Sequence, residues 1–148
     1  MTKVTGRRQA REWAVQFLFQ TEFNPSDLDN ALADFWGDDE RNPSVRDQTY
    51  VNEVVRGVIE KQREIDRTIS KYTDNWDVER LGVLDRIVLR VATFEMLFRG
   101  DIPPVVSINE AVEIAKAYSG KDSGRFVNGV LDRIQKELDR PSRTHKPQ

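Results

Sequence analysis

Apolar residues recur at intervals of three and four along most of the chain, and no segment shows the convincing alternation of a half-buried strand. This spacing places the apolar side chains of each segment on one face of a helix. The pattern therefore predicts an all-α fold, a compact helical domain of about seven helices. The helical segments lie at about 7–22, 28–37, 45–72, 76–81, 84–98, 107–118 and 122–138.

The segment 84–98 is the most apolar of these, and its apolar residues lie nearly all round the helix. That distribution is typical of the central helix of a bundle. After it, Ser107 and Glu110 have the spacing of a capping box, so we expect a helix to begin at Ser107. We expect Asp122 or Ser123 to cap the last helix.

The length of 148 residues suits one domain. A polar stretch at 73–75 interrupts the helical pattern and divides the chain into two halves. We therefore expect a single domain over 1–140, with an N-terminal bundle at about 1–75 and a C-terminal bundle at about 76–140. Residues 141–148 are expected to form a flexible basic tail.

Charge is balanced in number but uneven in position. Lys plus Arg number 23 against 25 for Asp plus Glu, a formal net charge of −2, which is not typical of a protein coated uniformly for nucleic acid. All charges within 27–40 are acidic, whereas basic residues gather at 7–11, at Lys121 and Arg125, and from Arg133 onwards. An acidic lobe facing away from a basic patch would produce this asymmetry.

Several classes of protein are excluded or not expected. No apolar run is long enough for a membrane span, and the N-terminus lacks the apolar core of a signal peptide. The chain has no cysteine, and its only histidine, His145, lies in the expected tail, so neither a Ser-His-Asp triad nor a histidine or thiolate metal site is expected. Glycine motifs for phosphate or dinucleotide binding do not occur. We therefore expect a cytoplasmic protein without a membrane, metal, cofactor or catalytic role.

The first helix combines two unusual features. Arg7, Arg8 and Arg11 cluster near its positive N-terminal end, and Phe19 falls almost opposite its apolar stripe. That stripe consists of Ala10, Trp13, Ala14 and Phe17. The arginines suit either a solvated helix start or a contact with phosphate, whose oxygens a guanidinium can bind in pairs.

A second basic segment lies at 121–126. A turn between two helices, with Phe126 at the edge of the core, is the favoured interpretation. In the functional alternative, Phe126 stacks on a base while Lys121 and Arg125 hold phosphates.

Phe19 suggests a third surface. Another helix could cover its ring, and Asp85 could simply favour the N-terminal dipole of the central helix. Alternatively, Phe19 is an exposed hot spot for a basic protein, with Asp85 or Glu79 beside it as acceptors.

The order of four segments is more specific than any one of them. They are RRQAREWAVQ at 7–16, LDRIVLRVATFE at 84–95, VSINEAVEIAK at 106–116 and FVNGVLD at 126–132. In this order they resemble the NusB family of bacterial transcription antitermination factors along nearly the whole chain. The resemblance implies a non-enzymatic domain of two small helical bundles that acts with partners.

The resemblance also implies which partners and residues are involved. NusB-like proteins pair with NusE, a ribosomal small-subunit protein; the pair binds boxA RNA in ribosomal operon leaders and helps RNA polymerase to resist termination. The arginine-rich start of the family's RNA surface corresponds to Arg7, Arg8 and Arg11. The region that completes this surface corresponds to Asp122, Ser123 and Phe126. The side that faces NusE corresponds to Phe19, Glu79 and Asp85.

Other interpretations stay open. The chain could be a helical protein–protein adaptor with incidental arginines, which would lack the salt-dependent RNA binding that follows from counterion release. It could also be a stand-alone relative of the RNA-binding domain of ribosomal RNA cytosine methyltransferases, although it has no cysteine nucleophile. A homodimer is a further alternative, because an apolar patch that awaits a partner can pair with itself.

Overall fold

The computed structural model describes residues 3–23, 27–38, 40–74 and 78–138, without the side chains of residues 3–7 and 23. Within these ranges the chain forms seven α-helices and one 3-10 turn, and no strand, which confirms the predicted all-α fold. The helices are α1 (Lys3–Phe23), α2 (Leu28–Trp36), α3 (Val45–Glu60), α4 (Gln62–Ser70), α5 (Val83–Phe98), α6 (Pro104–Ser119) and α7 (Lys121–Glu137), and the 3-10 turn is Val78–Arg80. The expected tail at 141–148, with His145, lies outside the described residues.

The long segment predicted at 45–72 consists of two helices. Helix α3 ends where the Lys61 N–H donates to the Gly57 carbonyl at 2.9 Å, and α4 begins at the next residue. The apolar face continues across this break. Its buried aliphatic residues are Val51, Val54, Val55, Val58, Ile65 and Ile69.

Helix α5 lies at the centre of the molecule. Every residue from Arg86 to Met96 is buried, and the helix packs against α1, α3, α4, α6 and α7. This confirms the predicted central helix. The division into two bundles near residue 75 stays a prediction, and α5 contacts helices on both sides of it.

Helix α6 begins earlier than predicted. It starts at Pro104, and proline suits the first helical position because the N–H that it lacks would have no partner there. The Ser107 hydroxyl donates to Glu95 Oε1 at 2.7 Å, and the Glu110 carboxylate accepts from Arg8. The predicted capping box is therefore wrong, since both side chains are buried and hold α6 against α5 and α1.

A single residue, Gly120, joins α6 to α7. Its φ of 98° lies in the region that favours glycine, and α7 begins directly after it. Neither Asp122 nor Ser123 caps the helix, so that prediction is wrong as well. The Ser123 hydroxyl instead donates to Asp85 at the start of α5.

Candidate nucleic-acid and protein interfaces

The first turns of α1 present Arg8 at the surface. Its side chain is 42% exposed, while its partner Glu110 is only 2% exposed. Arg8 Nε and Nη2 donate to the two Glu110 oxygens at 2.7 and 3.0 Å, and this hydrogen bonding raises the pKa of Arg8. A buried carboxylate thus fixes a half-exposed cation, which is compatible with a phosphate contact. The backbone of Arg7 is helical, but its side chain lies outside the described residues.

Arg11 is buried, which corrects its assignment as a surface contact. It is 3% exposed and binds Glu95, which is 0% exposed, through Nε at 3.0 Å and Nη2 at 3.0 Å. Tyr50 and Ser107 also donate to the Glu95 carboxylate. Burial alone would lower the pKa of Arg11, but the electrostatic interactions with Glu95, Tyr50 and Glu110 and the hydrogen bonding to Glu95 together outweigh it and raise the pKa. Arg11 therefore joins α1 to α5 inside the core.

The other predicted RNA contacts lie at the start of α7 and differ in how deeply they are buried. Lys121, Asp122 and Arg125 are exposed, and Arg125 pairs with Asp122 at 3.2 Å. Phe126 is half-buried and packs against the edge of the core. Ser123 is buried and bonded to Asp85, which corrects its assignment as a direct RNA contact. The structure therefore leaves two cations, one carboxylate and part of one ring at this surface.

Phe19 is exposed, as the predicted protein surface requires. Its side chain is 43% exposed and lies in a groove of about 540 Å³. The groove is lined by Val15, Gln16, Phe19, Gln20, Arg41, Leu84, Tyr118 and Ser119. Helices α1, α5 and α6 thus form a continuous surface around the ring.

The two carboxylates predicted beside Phe19 have partners within the chain. Glu79 is exposed but accepts from Arg90 Nη2 at 3.1 Å. Asp85 is half-buried and accepts from Ser123. Asp85 directly follows Leu84, a residue of the Phe19 groove, on α5. Through Ser123 it connects the start of α5 to the start of α7.

Sequence reasoning missed a buried charge network on α5. Arg90 binds Asp66 through Nε at 2.8 Å and Nη2 at 2.9 Å, and binds Glu22 through Nη1 at 3.2 Å. Arg86 binds the same Glu22 at 2.8 Å. In the sequence, this network is indicated only by two arginines four residues apart, Arg86 and Arg90, in the most apolar predicted helix. The network fastens α1 and α4 to α5.

The described residues hold neither a candidate metal site nor a candidate membrane-spanning helix. They contain no group of three or more His, Cys, Asp or Glu side chains that could hold a metal ion. None of their helices is both long and apolar enough to cross a membrane.

Comparison with known sequences identifies relatives along most of the chain. A sequence model described as the NusB family matches residues 8–136. The transcription antitermination protein NusB of Methylacidiphilum infernorum is 44% identical over 135 residues, which cover 90% of this chain and 93% of that protein. The protein of the same name from Bdellovibrio bacteriovorus is 45% identical over 135 residues, which cover 90% of this chain and 98% of that protein.

Solved structures have the same fold. T. maritima NusB superimposes with a TM-score of 0.80 at 42% identity and covers 90% of this chain and 93% of its own. A chain from a crystal structure of the antitermination factors NusB and NusE in complex with double-stranded RNA superimposes with a TM-score of 0.81 at 25% identity. That alignment covers 93% of this chain and all of the other.

Proposed function

The chain belongs to the NusB family, and we propose that it is an RNA-binding transcription antitermination factor. The match to the family over residues 8–136 carries this proposal, because it covers α1 from Arg8 onwards, all of α5 and α6, and α7 up to Lys136. The curated relatives bear the name of an antitermination protein. The activity is therefore one of binding and not of catalysis.

The RNA surface combines α1 and the start of α7. Arg8, together with Arg7, supplies cations on α1, and Lys121 and Arg125 supply them on α7. Phe126 offers part of an aromatic ring beside Arg125 and Asp122. Cations that hold phosphates next to a ring that stacks on a base are typical of single-stranded RNA recognition. Arg11 and Ser123 take the supporting role of holding α1 and α7 in position.

The protein surface is the groove around Phe19. An exposed aromatic ring in an apolar groove is typical of a binding hot spot. Asp85 follows the groove residue Leu84 on α5, and Glu79 lies in the 3-10 turn before this helix, and we propose both as acceptors for a basic protein. We propose that the basic partner at this groove is NusE, because a chain from a solved complex of NusB and NusE has the same fold as this chain.

The complete assembly would act on RNA polymerase. We propose that the chain and NusE together bind boxA RNA and join the antitermination complex of an elongating polymerase. Because bacterial transcription takes place in the cytoplasm, the proposed location is cytoplasmic.

Titration of a boxA RNA against a scrambled RNA of equal length tests this function. Each RNA is titrated with the full chain alone and with the chain plus NusE. We expect the boxA RNA to bind more tightly than the scrambled one, and NusE to increase the difference. If the boxA RNA and the scrambled RNA bind with equal affinity, both with and without NusE, this result contradicts the proposal and favours a protein–protein adaptor.

A variant at Phe19 tests the protein surface separately. We expect Phe19→Asp to weaken NusE binding by about 30-fold, the loss typical of a hot spot. RNA binding by the chain alone should not change, because Phe19 is not part of the RNA surface. Calorimetric titration of NusE with both chains measures this, and unchanged NusE affinity would rule out the Phe19 groove as the docking site.

A further inference from the structure

A basic groove of about 430 Å³ lies between α6 and α7. Its lining residues are Val112, Lys116, Lys121, Gly124, Arg125 and Asn128. We propose that this groove binds a phosphodiester of single-stranded RNA, with Lys116 and Asn128 as binding residues in addition to Lys121 and Arg125. The inference rests on the proposed RNA-binding function and extends its surface onto α6.

One stripe of α7 forms a wall of the groove. Lys121, Gly124, Arg125 and Asn128 occupy positions i, i+3, i+4 and i+7, so they lie on one face of the helix. A different face of α7 is buried in the core. It consists of Val127, Val130, Leu131 and Ile134. The groove-lining part of α7 thus carries two cations and a carboxamide, and no acidic side chain.

Gly124 brings Lys116 close to this wall. A Cβ atom added at Gly124 would stand 2.4 Å from Lys116 Cγ and 3.1 Å from its Cδ. The lysine stem therefore crosses α7 at a residue with no side chain. The close approach adds the charge of Lys116 on α6 to the two cations on α7.

The groove cations can exchange their carboxylate partners for the phosphate oxygens of a ligand. Lys116 pairs with Glu113 at 3.4 Å, and Arg125 pairs with Asp122 at 3.2 Å. All four side chains are substantially exposed, and exposed ion pairs contribute little to stability. Phosphate oxygens can therefore replace the carboxylates at low cost, with a guanidinium and ammonium groups as natural partners.

The groove is separate from the Arg8 contact. Glu110, which binds Arg8, faces α1, whereas Val112 and Lys116 line the groove beside α7. On a helix that turns by about 100° per residue, Glu110 and Val112 project about 160° apart. Helix α6 therefore lies between Arg8 and the groove. An RNA that contacts Arg8 and also occupies the groove would cross the exposed face of α6.

Charge removal at Lys116 tests the proposal. A fluorescently labelled boxA RNA is titrated with the full chain, wild type or Lys116→Gln, at about 50 mM and about 200 mM salt. The substitution removes the charge but keeps a good helix-forming side chain. Loss of one phosphate contact lowers the salt slope by about 0.7 log units, so the affinity ratio between the two salt concentrations falls by about 2.6-fold.

Lys136→Gln is the matched control. Lys136 is also exposed and pairs with an acid on its own helix, Asp132, at 3.2 Å. It lies about 22 Å along α7 from Lys121, well beyond the Debye length of about 8 Å at physiological salt. We expect this variant to keep the wild-type salt slope.

Gly124→Ala provides a second test that leaves every charge in place. The added methyl group must displace the Lys116 stem, while alanine favours the helix. We expect weaker RNA binding with an unchanged helical circular dichroism signal.

Three results would contradict the account, and they distinguish a failure of this inference from a failure of the proposed function. If Lys116→Gln keeps the wild-type slope while Lys121→Gln lowers it, RNA contacts α7 without contacting Lys116, so the RNA surface does not extend onto α6 and the inference is overturned. If Lys116→Gln keeps the slope but loses affinity for NusE, the groove binds a protein, which overturns it as well. If the wild-type chain binds no RNA at either salt concentration, the proposed function itself fails.

Discussion

Two arginines three residues apart on α1 have different surroundings and so different roles. Arg8 and Arg11 each bind a buried carboxylate through two nitrogen atoms, but only Arg8 reaches solvent. The sequence could place both near the start of a helix. It could not show that Glu95 on α5 would bury one of them, because that contact depends on how distant segments pack. Burial therefore decides which cation is available to a ligand.

Removal of Arg11 should destabilise the fold strongly. In Arg11→Ala, Glu95 becomes a buried charge without its counterion, and breaking such a pair costs about 3–5 kcal/mol of unfolding free energy. Arg125→Ala, which breaks an exposed pair, should change it by less than about 0.5 kcal/mol. Urea denaturation of both variants measures the difference, and similar stabilities would contradict a structural role for Arg11.

Two phenylalanines on α1 offer a comparison between core and surface. Phe17 is 1% exposed and packs edge-on against Phe35, with ring centroids 5.5 Å apart. We expect Phe17→Ala to cost about 3–5 kcal/mol, whereas Phe19→Ala should cost less than about 1.5 kcal/mol. Thermal denaturation distinguishes the two. A large loss in Phe19→Ala would show that its ring supports the core and not a partner surface.

At the scale of elements, the apolar period predicted where helices lie better than where they begin. The third predicted segment does contain α3 and α4, but the pattern of apolar residues gives no sign of the break between them at Lys61. Ser107 and Glu110 have the spacing of a cap because i and i+3 positions are neighbours on any helix surface. Their partners are Glu95 and Arg8 on other helices, and a local pattern does not contain that information.

The crossing of α3 and α5 depends on a glycine. A Cβ atom at Gly57 would stand 2.2 Å from the ring of Phe94, so the two helices can approach only without a side chain there. We expect Gly57→Ala to destabilise the chain by about 1–3 kcal/mol through overpacking, although alanine has the higher helix propensity.

Gly129 in α7 is the control for this prediction. A Cβ atom there meets no atom within 4 Å. We expect Gly129→Ala to stabilise the chain by about 0.5–1 kcal/mol, because only the helix propensity changes. Urea denaturation of both glycine variants gives the sign of each change, and a stabilising Gly57→Ala would contradict the close crossing.

At the scale of the whole molecule, one buried helix holds the candidate surfaces in fixed relation. Helix α5 carries Glu95, which binds Arg11, and Asp85, which binds Ser123. It also carries the buried Arg86 and Arg90. The sequence predicted α5 as central from its apolar residues, but not that buried polar side chains on it would connect α1, α4, α6 and α7. Helical periodicity and charge suggested the candidate surfaces as one of two alternatives at each place, and the resemblance to a family favoured the functional alternative.

The salt dependence of RNA binding tests the central claim most directly. We would titrate boxA RNA with the wild-type chain and with a double variant, Lys121→Gln and Arg125→Gln, across a series of salt concentrations. If both cations contact phosphates of a single strand, the slope of log affinity against log salt decreases by about 1.4 in the variant. An unchanged slope, with the variant folded, would contradict an RNA surface at the start of α7.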